Sequence, residues 1–160
     1  QVILPRYITA TERQEVLTLL SERYPCHLYT HKKTPSLPHT INRGTAANRM
    51  EACIIFRCSK INLNITLRSI RTGIPLRAFE IMGSGGFLMT NYQEDFLEYF
   101  DPGVDFDCYY SYDDLLKKVE YYLTHEEERR QIAENGYRKV KQYHTYRNRF
   151  DEMLKVMNLE

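Results

Sequence analysis

The sequence predicts an α/β fold: a doubly wound parallel sheet with a helical C-terminal end, in one domain spanning residues 1–160. Three observations carry this. Short apolar runs alternate with segments of helical periodicity. Strands separated by helices pair in parallel, because parallel neighbours need a crossover. And 160 residues, 42% hydrophobic and 12% aromatic, suffice for one sizeable core but leave little room for a second.

The elements are expected in this order. Val2-Ile3-Leu4 is a short apolar strand, and Thr11 caps a helix with Val16, Leu17, Leu19 and Leu20 close to one face. Cys26 to Tyr29 is the next strand, followed by a polar loop from His31 to Gly44 and a helical stretch over 46–57. Lys60 to Ile65 alternates as a strand, and Pro75 opens a short helix to Met82 at its favoured first position. Gly83 to Gly86 stops that helix, and Phe87-Leu88-Met89 is a buried strand. A short helix over Glu94 to Phe100 and a last strand over Phe106 to Tyr109 follow. Ser111 caps a helix from Tyr112 to Leu123. Thr124 and Glu127 have capping-box spacing for a helix ending at Gly136, and a final helix runs from Tyr137 to Met157 with Tyr137, Val140, Tyr143, Phe150, Leu154 and Met157 near one stripe.

Composition excludes several classes of function. Lys+Arg (22) against Asp+Glu (21) argues against nucleic-acid binding driven by bulk charge. No stretch is apolar enough to span a membrane, and no signal-peptide core is visible at the start, so a cytoplasmic protein is expected. Cys26, Cys53, Cys58 and Cys108 form no C-x-x-C pair, and five scattered histidines lack ligand spacing, so no metal or redox centre is expected. The charge run Glu126 to Arg130 reads as a solvated helix face, and Asn64-Ile65-Thr66 as an accidental glycosylation sequon in a buried strand.

In doubly wound sheets ligands bind beyond the carboxyl ends of the strands, which directs attention to loops 5–11, 66–75 and 90–94. The second of these feeds a helix start and contains Arg68, Arg71, Thr72, Gly73 and Ile74, with Leu76 and Arg77 just beyond. Unpaired N–H groups, the positive end of the helix dipole and guanidinium groups suit a phosphate, but a solvated basic loop capping a helix has the same composition. Glu80 lies in an otherwise apolar helix and needs a partner, either a nearby arginine or a ligand hydroxyl pair such as a ribose. Arg6 and Arg13 have a surface role as their first reading and phosphate contact as their second. Asn62 and Asn64 share one strand face and are expected to bond neighbouring loops. His144, among Tyr143, Tyr146 and Arg147, reads as helix packing.

The segment Gly73-Ile74-Pro75-Leu76-Arg77-Ala78-Phe79-Glu80-Ile81-Met82-Gly83-Ser84-Gly85-Gly86-Phe87-Leu88 resembles the donor-site segment of group 1 glycosyltransferases, nearest to the subgroup named for spore-maturation proteins. Ser59 to Asn64, Asn135-Gly136-Tyr137 and His144 to Arg147 extend the resemblance over almost the whole chain. It implies the Rossmann-like C-terminal domain of a two-domain enzyme of GT-B type, holding a nucleotide-diphosphate sugar donor without a metal. The N-terminal acceptor domain would be absent, and the isolated domain inactive. Glu80 matches the glutamate that holds the nucleotide ribose, and backbone amides near Ile74, Leu76 and Arg77 match the diphosphate cradle, although Pro75 has no N–H to give. Many relatives carry a glutamate eight residues before Glu80 that contacts the sugar, and here that position is Thr72. The competing reading is a non-catalytic assembly module that keeps the fold. A receiver-like phosphate binder fits less well, because Leu4-Pro5-Arg6 stands where an acidic cluster is expected.

Overall fold

The computed structural model describes residues 3–31, 37–67, 70 and 72–157. Five short strands and six α-helices lie among them, in the order α1 (Ile3–Ser21), β1 (Cys26–Leu28), β2 (Thr40–Asn42), α2 (Arg49–Cys58), β3 (Asn62–Asn64), α3 (Leu76–Gly83), β4 (Leu88–Asn91), β5 (Asp107–Tyr109), α4 (Tyr112–Thr124), α5 (Glu126–Tyr143) and α6 (Tyr146–Val156). A 3₁₀ turn, Glu94–Glu98, replaces the short helix expected between β4 and β5.

All the pairing is parallel, as predicted, but it is divided between two sheets. β1 pairs with β2, while β3, β4 and β5 form a second sheet in that order, with Asn62 opposite Leu88 and Met89 opposite Asp107. Alternation along the strands covers both faces of the larger sheet. Leu88 and Cys108 enter a core with Ala78, Ile81, Met82, Phe96, Phe100, Phe106 and Val140. Their neighbours Met89 and Tyr109 enter the opposite core with Val16, Leu20, Phe87, Leu115, Val119, Tyr122 and Ile132. One-residue alternation between two cores is the signature of a sheet wound on both sides.

The start of the chain corrects the sequence reading. Ile3 and Leu4 do not form a strand, and Val2 lies outside the described residues: Ile3 begins α1, with Pro5 in the first turn where its missing N–H costs nothing. Good helix formers from Ala10 to Glu15 carry the helix on. Thr11 is therefore an interior residue, its hydroxyl donating back to the Tyr7 carbonyl at 3.1 Å rather than capping. Loop 5–11 becomes helix.

The C-terminal third is corrected at both of its expected boundaries. Thr124 spends its hydroxyl on the end of α4, donating to Glu120 O and Tyr121 O at 3.1 and 2.8 Å, so it opens no capping box with Glu127. Gly136 does not end a helix. It lies inside α5, and the break comes at His144, after which Thr145 and Asn148 form the capping box that starts α6. The single expected stripe from Tyr137 to Met157 is thereby split, with Val140 buried on α5 and no buried residue on α6. Ser111 does cap α4, accepting from the Asp114 N–H. Tyr109 and Tyr122 are core and Tyr110 and Tyr121 are rim.

Candidate functional site

Two asparagines and two threonines tie the carboxyl ends of β3 and β4 together. Asn64 Nδ2 donates to Thr66 Oγ1 and Thr90 Oγ1, both at 3.0 Å, and the Thr66 N–H donates to Asn91 Oδ1 at 2.8 Å. At the other end of β3, Asn62 Nδ2 donates to Phe56 O and Phe87 O. Asn62 and Asn64 are buried and have the structural role expected of them, although their Nδ2 groups reach α2 and β4 as well as neighbouring loop residues. Arg13 reaches the same region from α1 and donates from Nη2 to Ile65 O at 2.8 Å. It caps a strand carbonyl.

From this anchored end the chain passes to α3. Gly73 adopts φ +89°, a left-handed conformation that other residues adopt at a cost, with open space where a Cβ would stand. Ile74 packs against the core below, and Thr72 is exposed. Pro75 occupies the cap position of α3 and offers no side-chain bond to the first turn. The Leu76 and Arg77 N–H groups are thus left at the positive end of the helix, the arrangement that receives anions.

Glu80 finds the arginine partner that its apolar surroundings demand. Arg77 Nη1 lies 3.1 Å from Glu80 Oε2, one turn apart on α3, with the carboxylate side chain 29% exposed. The guanidinium also sits over the Phe56 ring at 5.3 Å. Leu76, Arg77 and Glu80 line one open groove of about 2050 Å³ together with Arg13, Asn64 and Ile65. Of the expected donor-binding residues, the structure brings Leu76, Arg77 and Glu80 together in this groove. Gly73 and Ile74 lie just before them, Arg68 and Arg71 lie outside the described residues, and no side-chain position is described for Arg6.

The structure adds Asp95, just past the 90–94 loop, and picks out Gln93 within it. Asp95, in the 3₁₀ turn after β4, accepts the Gly73 N–H with Oδ2. One amide at the α3 approach is therefore already held by a carboxylate. Gln93 Oε1 is buried and meets no donor among the described residues. The Asp95 contact was not visible beforehand, because it acts across a separation that the parallel fold alone creates. His144 keeps to its packing role, with ring centroids of Phe79, Tyr99 and Phe100 at 5.4, 5.4 and 5.0 Å. Burial lowers its pKa, and the Arg149 charge beside it lowers it further. Among the described residues no group of three His, Cys, Asp or Glu side chains could hold a metal ion, and no helix is long and apolar enough to cross a membrane.

A family model described as glycosyl transferase-like matches residues 9–155. The chain belongs to this glycosyl transferase-like family. Its fold is also found in a 1.35 Å crystal structure of the C-terminal domain of a glycosyl transferase group 1 family protein (LpcC) from Francisella tularensis, with a TM-score of 0.52 and 19% identity. That likeness covers 67% of this chain and 53% of the other, so the glycosyl transferase-like chain spans about half the length of its structural neighbour. At this identity the likeness speaks for the fold alone, the Rossmann-like arrangement of parallel strands and helices. A comparison with curated proteins gives no match.

Proposed function

We propose that the chain is the donor-binding, C-terminal half of a two-domain group 1 glycosyltransferase, of the spore-maturation-protein-like subgroup, acting in the cytoplasm. It would take a nucleotide-diphosphate sugar and present the glycosyl group to an acceptor held by a second domain. One observation supports this most directly. In a chain of a glycosyl transferase-like family, the groove places the uncapped start of α3, Arg77 and the half-buried Glu80 along one helix. The Leu76 and Arg77 amides and the Arg77 guanidinium would take the diphosphate, where charge grows as the sugar leaves. Glu80 would exchange its bond to Arg77 for the ribose hydroxyls. The reading calls for no metal, since these groups carry the compensating charge. Transfer would need the acceptor domain, so measurable turnover by this chain alone would count against the division of labour.

Titration with UDP, GDP and dTDP by calorimetry tests the reading. We expect saturable binding of one nucleotide, weakened about tenfold by Glu80→Gln, the equivalent of one charged hydrogen bond. Asp95→Asn should act in the opposite sense, because the Asp95 carboxylate holds the Gly73 amide and repels a diphosphate. A gain of about threefold is expected from removing one partly exposed like charge. Equal affinity in wild type and both variants would sink the assignment. Absence of binding in a folded sample would instead favour the assembly module, in which the Arg77–Glu80 pair is a purely structural contact.

A further inference from the structure

Arg129 departs from the charge run to which it belongs. Glu126, Glu127, Glu128 and Arg130 are exposed, as a solvated helix face requires, but Arg129 is only 5% exposed. A guanidinium has five N–H donors. Here Nη1 donates to Tyr122 O. The nearest carboxylate, Glu126, is engaged with Arg130 Nη2 at 2.5 Å. A cation buried to this degree is costly unless an anion compensates its charge.

The space beside Arg129 has the character that such an anion needs. A cavity of about 250 Å³ lies at the amino ends of β3 and β4, lined by Arg57, Lys60, Arg129 and Arg130 as well as Glu126. Arg57 reaches over Gly85 from the end of α2, its Nη1 standing 3.8 Å from where a Cβ on Gly85 would lie. Four cations thus face one carboxylate that is already paired. The negative end of α2 accounts for Arg57 alone, not for the buried Arg129 that lines the same cavity. Ser59 adds no free donor, since its hydroxyl donates to Ile55 O at 2.7 Å.

We propose that this cavity binds a small phosphoryl oxyanion. Tetrahedral phosphate oxygens suit the paired N–H forks of arginine, and several cations lining one cavity favour a multiply charged anion over a single carboxylate. The volume falls below the usual range for a bound organic cofactor, about 300–1,000 Å³, so the occupant is inorganic phosphate or a small phosphorylated molecule rather than a nucleotide sugar. The site lies at the opposite end of the strands from the start of α3 and does not depend on the donor-site reading.

The test is an NMR titration of the ¹⁵N-labelled chain with inorganic phosphate and, separately, pyrophosphate, against acetate at matched ionic strength. Saturable shifts at the Ser59, Lys60 and Gly85 amides are expected with the phosphoryl anions and not with acetate. The double variant Arg57→Ala/Lys60→Ala changes only exposed side chains, so the fold persists, and it should weaken binding about tenfold. Glu80→Gln should leave these shifts unchanged. Equal response to acetate, shifts that persist in the double variant, or no response at these amides overturns the proposal. Shifts confined to Gly73, Leu76 and Arg77 would overturn it too, while speaking for anion binding at α3.

Discussion

Gly136→Ala is expected to destabilise the protein by about 2 kcal/mol, although alanine is the better helix former. A Cβ at this position would lie 2.3 Å from the Asp105 carbonyl oxygen and 3.4 Å from Met82 Sδ. The oxygen belongs to backbone, and that backbone cannot retreat cheaply. Asp101 N–H donates to Asp105 Oδ2 at 3.0 Å, Gly103 N–H donates to Phe106 O at 2.7 Å, and Asn135 Nδ2 holds Val104 O at 3.0 Å. Lys139 secures Asp105 from the same helix at 2.6 Å. Overpacking against a fixed wall costs up to about 3 kcal/mol. Helix propensity returns about 1 kcal/mol. For a domain of this size the net loss lowers Tm by roughly 4–8 °C, readable by circular dichroism. Gly83→Ala is the control, since its Cβ would meet only Val140 Cγ1 at 3.4 Å. A Gly136→Ala protein as stable as wild type would mean that α5 does not rest on the 101–106 loop.

This glycine also shows where a sequence ceases to be legible. A glycine near the end of a periodic segment satisfies the local rules for a helix stop, and only the approach of a loop some thirty residues away reveals that it is a packing residue. Thr124 was ambiguous in the same way, because a hydroxyl between two helices can serve either, and α4 claimed it. By contrast, β3, α3 and β4 were readable because their signals are local and agree. Pro75 sits at the helix start, an apolar run follows, and Gly83 to Gly86 turns the chain into a buried strand. The candidate site divides along the same line. The Arg77–Glu80 pair lies within one helix turn and follows from spacing. Asp95 on Gly73 spans twenty-two residues, and nothing about an acidic 3₁₀ turn discloses it. Arg129 is harder still, since the sequence of a charge run does not say which member faces inward.

The largest loss we expect comes from Asp107→Ala, about 3 kcal/mol. Asp107 opens β5 and is 4% exposed. Its Oδ1 accepts from Lys118 Nζ at 2.8 Å, and its Oδ2 accepts from the buried Tyr122 hydroxyl at 2.8 Å. Truncation removes both acceptors, leaving the buried Tyr122 hydroxyl without this acceptor and the Lys118 ammonium without its counter-charge. Breaking a buried pair costs about 3–5 kcal/mol, and the Lys118 side chain, 28% exposed and still donating to Cys108 O at 2.6 Å, places this case at the low end. Asp107→Asn keeps an oxygen for Tyr122 and should lose about half as much. The pH dependence follows from the ammonium. Burial pulls the Lys118 pKa down, but the hydrogen bond and charge of Asp107 outweigh it, and the net shift is upward. A cation with a raised folded pKa contributes fully below its unfolded value and loses that contribution as pH rises through the folded one. Urea denaturation should therefore show the full difference between wild type and Asp107→Ala at pH 7, narrowing only above the ordinary lysine range. A difference below about 1 kcal/mol at pH 7, the usual worth of an exposed pair, would show that the Asp107 cluster contributes no more than a surface contact.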